Sequence, residues 1–399
     1  MTLEEFEKLI APDAQSFYEK HKNCNPSEFS LKYSKLADVP IRAIAEQIYC
    51  YQKAKTKLPS FADKLIFEKI ALEQSSSEIT AKYKSELLKA DIIADLTGGF
   101  GLDTIFFSQK AKSVYYFEKN ILLSNITKLN ISNLNIINIK IYSEDSISWL
   151  MNNNVKFDLI YLDPARRYKS KRAVDLDFCQ PNVYENIDLF LSRSDTLLIK
   201  AAPAYDFTEA KRKIKNLSEF IVVSVDNECK EVLLKIEKNY SAEIKIKSAS
   251  IYSKVNLVSE FESSENTLPN KTVAKTIGNY FFEPDVALIK SGLTAVLADK
   301  MKLQYLNNEV DYLTGNSEIV NFIGRKFKII CWENFSLKIF RRYLKKCNLL
   351  KANLSKRGFS LSVEELRKKV NIKDGGKDYF FFTTFMEKPI FIHCNKIES

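Results

Sequence analysis

Glycine is scarce in this chain of 399 residues: there are ten, and none occurs before Gly98. Histidine is scarcer still, with only His21 and His393, near opposite ends, which leaves no histidine cluster for a metal and no Ser-His-Asp set. The seven cysteines (24, 50, 179, 229, 331, 347 and 394) are never two residues apart in a C-x-x-C pair. Zinc-ribbon, zinc-knuckle and dithiol redox spacings are therefore missing, and scattered thiols of this kind read as reduced and mostly buried. No apolar run reaches the roughly 18 residues of a membrane span. The opening "MTLEEFEKLIAPDAQ" carries acids where a signal peptide needs basic residues and an apolar segment, so a cytoplasmic location without membrane attachment is expected.

Excess positive charge is absent from most of the chain as well. Of 60 Lys and Arg, 18 fall between Ile319 and Ser399 against 7 Asp and Glu, a net of +11. The preceding residues hold 42 basic and 43 acidic side chains, a net of −1. Such asymmetry points to one terminal module that meets a polyanion.

At this length the expectation is two to four domains. Residues 1–88 read as helices; "PIRAIAEQIYCYQKAKTKL" places Ile41, Ile44, Ala45 and Ile48 on one stripe, and Ser77 is placed to cap a helix through Thr80, Tyr83 and Leu87. Between 89 and 238 short apolar runs alternate with helical stretches: "DIIADL", "SVYYFE", "IINIKIYS", "FDLIYLD" and "DTLLIKA", then "FIVVSV" and "EVLLKI". The first five indicate a parallel sheet with βα crossovers. The last two, joined only by "DNECK", must form an antiparallel hairpin, so the sheet ends in a reversed strand. Residues 239–318 read as a small α+β module and 319–399 as a basic terminal module.

Three of the ten glycines crowd into "DLTGGFG", between the first strand and a helix opening at Leu102-Asp103-Thr104. Glycine in an ordered turn supplies φ > 0 or admits close approach to the backbone. A strand, glycine turn and helix is where an open parallel sheet binds a nucleotide-like ligand. There is no Gly-Lys-Ser/Thr and no third glycine of GxGxxG, which disfavours a pyrophosphate ligand and a nicotinamide oxidoreductase and favours an adenosine with an amino-acid tail. Glu118 ends the second strand, 23 residues after Asp95, where an acid accepts from ribose hydroxyls. Asp145, after the third strand, can accept from an adenine amino group with Ile147 packing the ring, or simply cap a helix. Asp163-Pro164 follows the fourth strand and faces whatever the glycine loop holds.

At these residues the chain resembles the class I S-adenosylmethionine-dependent methyltransferases. Their acidic residue and DxxxGxG loop, acids after strands two and three, and Asp/Asn-Pro motif match Asp95, Gly99, Gly101, Glu118, Asp145 and Asp163-Pro164. "LEQSSSEITAKYKSELL", "DPARR", "NECKEVLL", "YFFEPDVALIKSGL" and "YLTGN" extend the resemblance to bacterial methyltransferases with a THUMP-like C-terminal domain. The resemblance implies a Rossmann-like catalytic domain, a ferredoxin-like α+β module and a basic THUMP-like domain. It implies S-adenosylmethionine as cofactor, held by Asp95, Thr97, Gly99, Gly101, Asp103, Glu118, Asp145, Ile147 and Asp163. The implied catalytic residues are Asp163 and the Pro164 carbonyl, accepting from a target amine, with Arg166 beside them.

The departure is Ala165-Arg166-Arg167, where amino-methylating relatives carry proline and a stacking aromatic. Arg166 and Arg167 suit a phosphate or carboxylate, or a surface pairing with Asp175 and Asp177. No cysteine lies in the Asp-Pro motif, which disfavours ring-carbon methylation through a covalent adduct, and Cys179 reads as packing. "RRYLKKCNLLKANLSKR" holds seven basic residues and no acid: Arg341, Arg342, Lys345, Lys346, Lys351, Lys356 and Arg357. Regularly spaced cations beside an apolar stripe of Phe340, Tyr343 and Leu344 suit an RNA backbone, of transfer or ribosomal RNA, although a solvated helix face would look similar. The expectation is a methyltransferase acting on RNA, N-methylation favoured; the alternative is a non-catalytic RNA-binding protein that keeps the fold. Oligomeric state is not legible.

Overall fold

Among the described residues before Gly98 the chain forms six helices and then a first strand. A computed structural model describes residues 1–36, 38–166, 176–267 and 269–397, with the backbone alone for Arg166. Arg167 and Asp175, singled out above, lie outside the described residues. The chain divides into two compact units, one of Met1–Ser218 with Leu233–Ser241 and one of Glu219–Val232 with Ala242–Ser399.

In the first unit the longest helix, Ile41–Lys57, buries Ile44, Ile48, Tyr51 and Ala54. Ser77 caps the helix Glu78–Leu87 by accepting from Thr80 N, with the Thr80 hydroxyl answering to the Ser77 backbone. The strands here are β1 (Ile92–Asp95), β2 (Ser113–Phe117), β3 (Ile139–Tyr142), β4 (Leu159–Leu162), the short β5 (Ala165–Arg166) and β6 (Cys179–Gln180), and β7 (Thr196–Ala201). Strands β4, β1, β2 and β3 lie side by side in parallel, and β7 joins parallel to β4. Next come β8 (Leu217–Val225) and β9 (Glu228–Glu237), joined by Asp226-Asn227 at φ 49° and 65°. A two-residue turn with both φ positive closes an antiparallel hairpin, so β9 runs back against β8. The second half of β9 lies beside β7, which gives this unit the order β9-β7-β4-β1-β2-β3.

The helices of 1–88 do not stand apart from this sheet. Their core contains Phe100, Leu102, Ile105 and Phe106 from the glycine loop and the helix after it, along with Ile126 and Ile131. Phe67 stacks on Phe100 at 5.7 Å, and Asn130 both accepts from Ile66 N and donates to Ile66 O. The helical region thus buttresses the loop.

In the second unit β10 (Lys245–Tyr252) pairs parallel with β8, and β11 (Leu257–Ser264) antiparallel with β10. A seven-stranded sheet follows, β12 (Tyr280–Pro284), β13 (Gln304–Tyr305), β14 (Leu313–Gly315), β15 (Gly324–Asn334), β16 (Asn353–Lys356), β17 (Asp378–Phe385) and β18 (Lys388–Lys396), ordered β13-β14-β12-β15-β18-β17-β16. The segment 239–318, expected as a module of its own, is therefore shared out differently. Its first two strands continue from β8, and β12 pairs with β15 across the expected boundary at 318/319. The reason is hydrogen bonding: "AEIKIKSASIYS" and "YFFEP" each complete an edge that would otherwise expose unpaired backbone groups.

Candidate active site at the tips of the parallel strands

Strand β1 delivers Asp95, and the loop after it is shaped by two different demands on glycine. Gly98 donates to Phe117 O at 2.9 Å, and a Cβ there would lie 2.1 Å from the Tyr116 ring. Gly99 and Gly101 sit at φ 53° and 79°, a region that L side chains enter at a cost. Tyr116 locks the loop from below, its hydroxyl donating to Gly99 O at 2.6 Å. On the other side of Gly99 the space is open: a Cβ would meet nothing closer than Thr97 O at 3.6 Å.

Asp95 is 1% exposed. Its carboxylate accepts from Thr97 N at 3.1 Å and from the Thr104 hydroxyl at 2.5 Å, so it ties the start of the loop to the following helix. Burial pushes this carboxyl up to about 7; the Thr104 bond pulls the other way, and Asp103 and Asp163 nearby add to the rise. Expected among the ligand contacts, Asp95 instead presents no surface, because a turn closed by three glycines needs an internal anchor.

Glu118 is half-buried at the end of β2. One oxygen accepts from Gly99 N at 3.1 Å and the other from Asn120 N at 2.7 Å, which fixes the carboxylate against the loop. Asp145 is exposed and caps the helix Ser146–Asn152 by accepting from Ser148 N at 2.9 Å; Ile147 is half-buried beside it. Thr97 accepts from Asp163 N at 2.6 Å, joining the glycine loop to the Asp-Pro turn. Pro164 is buried, and Asp163 is 29% exposed with Oδ2 2.6 Å from Lys200 Nζ.

Beneath these tips lies a cluster of buried charge that the residue pattern did not announce. Lys84 is fully buried and its Nζ lies 3.2 Å from Asp103 Oδ1 and 2.8 Å from Ser76 Oγ. Asp103 Oδ2 accepts from Ser76 Oγ at 3.0 Å and from the Tyr161 hydroxyl at 2.8 Å. Lys200, 8% exposed, reaches Ser76 Oγ at 3.3 Å as well as Asp163. Burial alone would raise the Asp103 carboxyl; Lys84, Lys200 and the Tyr161 and Ser76 hydrogen bonds outweigh it and hold Asp103 below its ordinary value. Asp103, expected against a ligand, is thus committed inward, because two buried ammonium groups need a carboxylate between them.

The basic segment of the second unit is similarly sorted. The helix Leu337–Lys346 buries Phe340 and Leu344 and exposes Arg342, Lys345 and Lys346. Arg341 is exposed but its Nε donates to Lys369 O at 3.1 Å, and Lys356 Nζ donates to Phe359 O at 2.9 Å. Lys351 is exposed. Arg357 must be removed from the expected RNA contacts. It is half-buried, donates to Asp311 O, reaches Glu283 Oε1 at 3.4 Å and lies 4.9 Å from the Tyr312 ring centroid. Glu283, 3% exposed, demands that cation together with Arg325. Asp177, weighed as a partner for the Arg166-Arg167 pair, is bound by Lys213 at 2.5 Å.

Among the described residues no helix is long and apolar enough to cross a membrane, and no group of three or more His, Cys, Asp and Glu is placed to hold a metal ion.

The strand order with its reversed β9, the glycine turn and the acids at the strand tips define a class I methyltransferase fold. Residues 324–396 match the family described as THUMP domain-like. A candidate methyltransferase from Porphyromonas gingivalis W83, known as a crystal structure, superposes with a TM-score of 0.87 at 27% identity, covering 100% of both chains. Two strains of Mycobacterium tuberculosis carry an uncharacterized S-adenosylmethionine-dependent methyltransferase 23% identical over 215 residues, 54% of this chain. The match spans 57% of the length of those curated relatives. The chain combines a class I methyltransferase fold with a THUMP-like C-terminal domain.

Proposed function

We propose that the chain is an S-adenosylmethionine-dependent methyltransferase that acts on RNA, with nitrogen as the methylated atom. The observation that carries this reading is the pairing of Glu118 with the glycine loop: the carboxylate is held on Gly99 N while the far side of Gly99 is open. The residues fit the cofactor. Gly99 leaves room for close approach, Glu118 offers lone pairs to a ribose, and Asp145 keeps one carboxylate oxygen beyond its cap for an adenine amino group. When bound, the cofactor supplies an electrophilic methyl group on a sulfonium.

The chain's own contribution is positioning, the main source of acceleration for such a transfer. Asp163 Oδ2 is committed to Lys200, so Oδ1 with the Pro164 carbonyl would accept from the target nitrogen and orient its lone pair. Arg342, Lys345, Lys346 and Lys351 would bind the RNA backbone. The relatives named as methyltransferases support the activity, and the THUMP-like match supports RNA as partner. The test is incubation with methyl-labelled cofactor and total RNA or total protein from a cell lacking the chain. Label in RNA is expected; label in protein alone overturns the RNA assignment. Asp163→Ala should abolish transfer while sparing affinity for S-adenosylhomocysteine, and undiminished turnover removes Asp163 from the mechanism.

The Asp163–Lys200 ion pair also favours a second reading, in which an acid neutralised in this way no longer serves chemistry and the chain only binds RNA. Isothermal titration with S-adenosylhomocysteine separates the two, since no binding leaves only the second.

A further inference from the structure

One sequence motif has no place in the function so far: "SSSEITAKYK", Ser75 to Lys84, which precedes the glycine loop. Ser76, just ahead of the N-cap, and Lys84, in the second turn of the helix, lie beneath Asp103 and Lys200. Burying an ammonium costs several kcal/mol even after relaxation, and apolar residues of similar volume often do as well or better. Two buried lysines joined through one hydroxyl are therefore poorly explained by stability alone.

The geometry around Ser76 is saturated. A hydroxyl has one proton and two lone pairs. The proton goes to Asp103 Oδ2 at 3.0 Å, and the lone pairs receive Lys84 at 2.8 Å and Lys200 at 3.3 Å. With its orientation set in this way, Ser76 restrains Lys200, and Lys200 fixes Asp163 Oδ2 at 2.6 Å. Thr97 fixes the Asp163 backbone at 2.6 Å from the opposite side. Both the main chain and the carboxylate of Asp163 are thus pinned, one by the glycine loop and one by the motif ahead of it.

We propose that Lys200, with Ser76 and Lys84 behind it, is a positioning residue that aims the second oxygen of Asp163 at the methyl acceptor, and that the Ser76–Lys84 motif is a working part of the site. This rests on the reading of Asp163 as the acceptor given above. The arrangement makes the helical region essential to catalysis without any contact with cofactor or RNA.

The experiment compares Ser76→Ala, Lys200→Met and Lys200→Arg in the full chain. It reads S-adenosylhomocysteine affinity by calorimetry, melting temperature, and kcat and KM for methyl transfer to RNA. Lys200→Met should lower kcat about 100-fold, the loss that a misplacement of roughly 1 Å brings. Ser76→Ala, the gentler change, should lower it about tenfold, and Lys200→Arg should recover most of the rate because its guanidinium can still hold a carboxylate. Cofactor affinity and KM should move by about threefold or less, within the scatter of independent sites. Unchanged kcat with a lowered melting temperature would show a purely structural role and overturn the proposal. So would equal losses in Lys200→Arg and Lys200→Met, or parallel loss of cofactor affinity. An unaltered chain that binds S-adenosylhomocysteine but methylates no RNA refutes the proposed function itself, and that result is seen before any variant is made.

Discussion

Replacing Asp95 with asparagine should make the first unit more stable relative to the unaltered chain as pH rises. Asp95 lies beside Asp103 and Asp163, and burial pushes its carboxyl from the ordinary 3.8 up to about 7. A carboxyl whose folded value is raised contributes stability that is fully present below its unfolded value and is lost as pH climbs through the folded one. The difference, about 3 in pKa at about 1.36 kcal/mol each, amounts to about 4 kcal/mol. Roughly 3 kcal/mol of this should appear between about pH 5 and pH 8. Asparagine never ionises, yet it can still accept from Thr97 N and donate to the Thr104 hydroxyl, so its own offset should not vary with pH. Urea unfolding followed by tryptophan fluorescence measures the effect. A Trp332→Phe background leaves Trp149, buried in the first unit, as the reporter. A stability difference that is flat or falls with pH would refute the assignment of Asp95 as a carboxyl held above its ordinary value by burial.

Two further outcomes follow from the packing. Gly98→Ala places a methyl 2.1 Å from the buried Tyr116 ring, so it should cost about 1–3 kcal/mol and weaken S-adenosylhomocysteine binding more than about tenfold, both readable in one thermal-shift titration. Reversing Arg342, Lys345 and Lys346 to glutamate should weaken RNA binding and flatten its salt dependence by about 0.7 per lost phosphate contact in log–log slope. Arg357→Ala should leave RNA affinity alone and instead destabilise the second unit by about 1–3 kcal/mol, because Glu283 loses one of its two guanidinium partners.

How much was legible in advance varied with the range of the interaction. The parallel strands were readable because each is a short apolar run, three of them closed by an acid, Asp95, Glu118 or Asp163. The β8–β9 hairpin was readable because five residues cannot carry a crossover. The glycine loop was legible for the same local reason, since glycine takes the positive φ found at Gly99 and Gly101 without the cost that a side chain brings. Long-range pairing was not. Nothing in "AEIKIKSASIYS" says that it will lie parallel to β8, and nothing in a lysine-rich helix marks Lys84 as the one lysine turned fully inward. Arg357 and Lys345 carry the same charge in the same run. The helix that carries Lys345 ends at Lys346, with Cys347 as its cap and Asn348 at φ 53°, and beyond that break the direction of Arg357 is set by partners distant in sequence.

The chain leaves its first unit after Ser218 and comes back at Leu233. A gene fragment stopped at Ser218 would strip β7 of its neighbour and leave a bare row of amides and carbonyls inviting aggregation. Any excised version meant to hold the glycine loop and its acids must run on through Ser241, carrying the whole intervening ribbon with it. Mutational dissection of the two halves is accordingly better done by point substitution than by cutting.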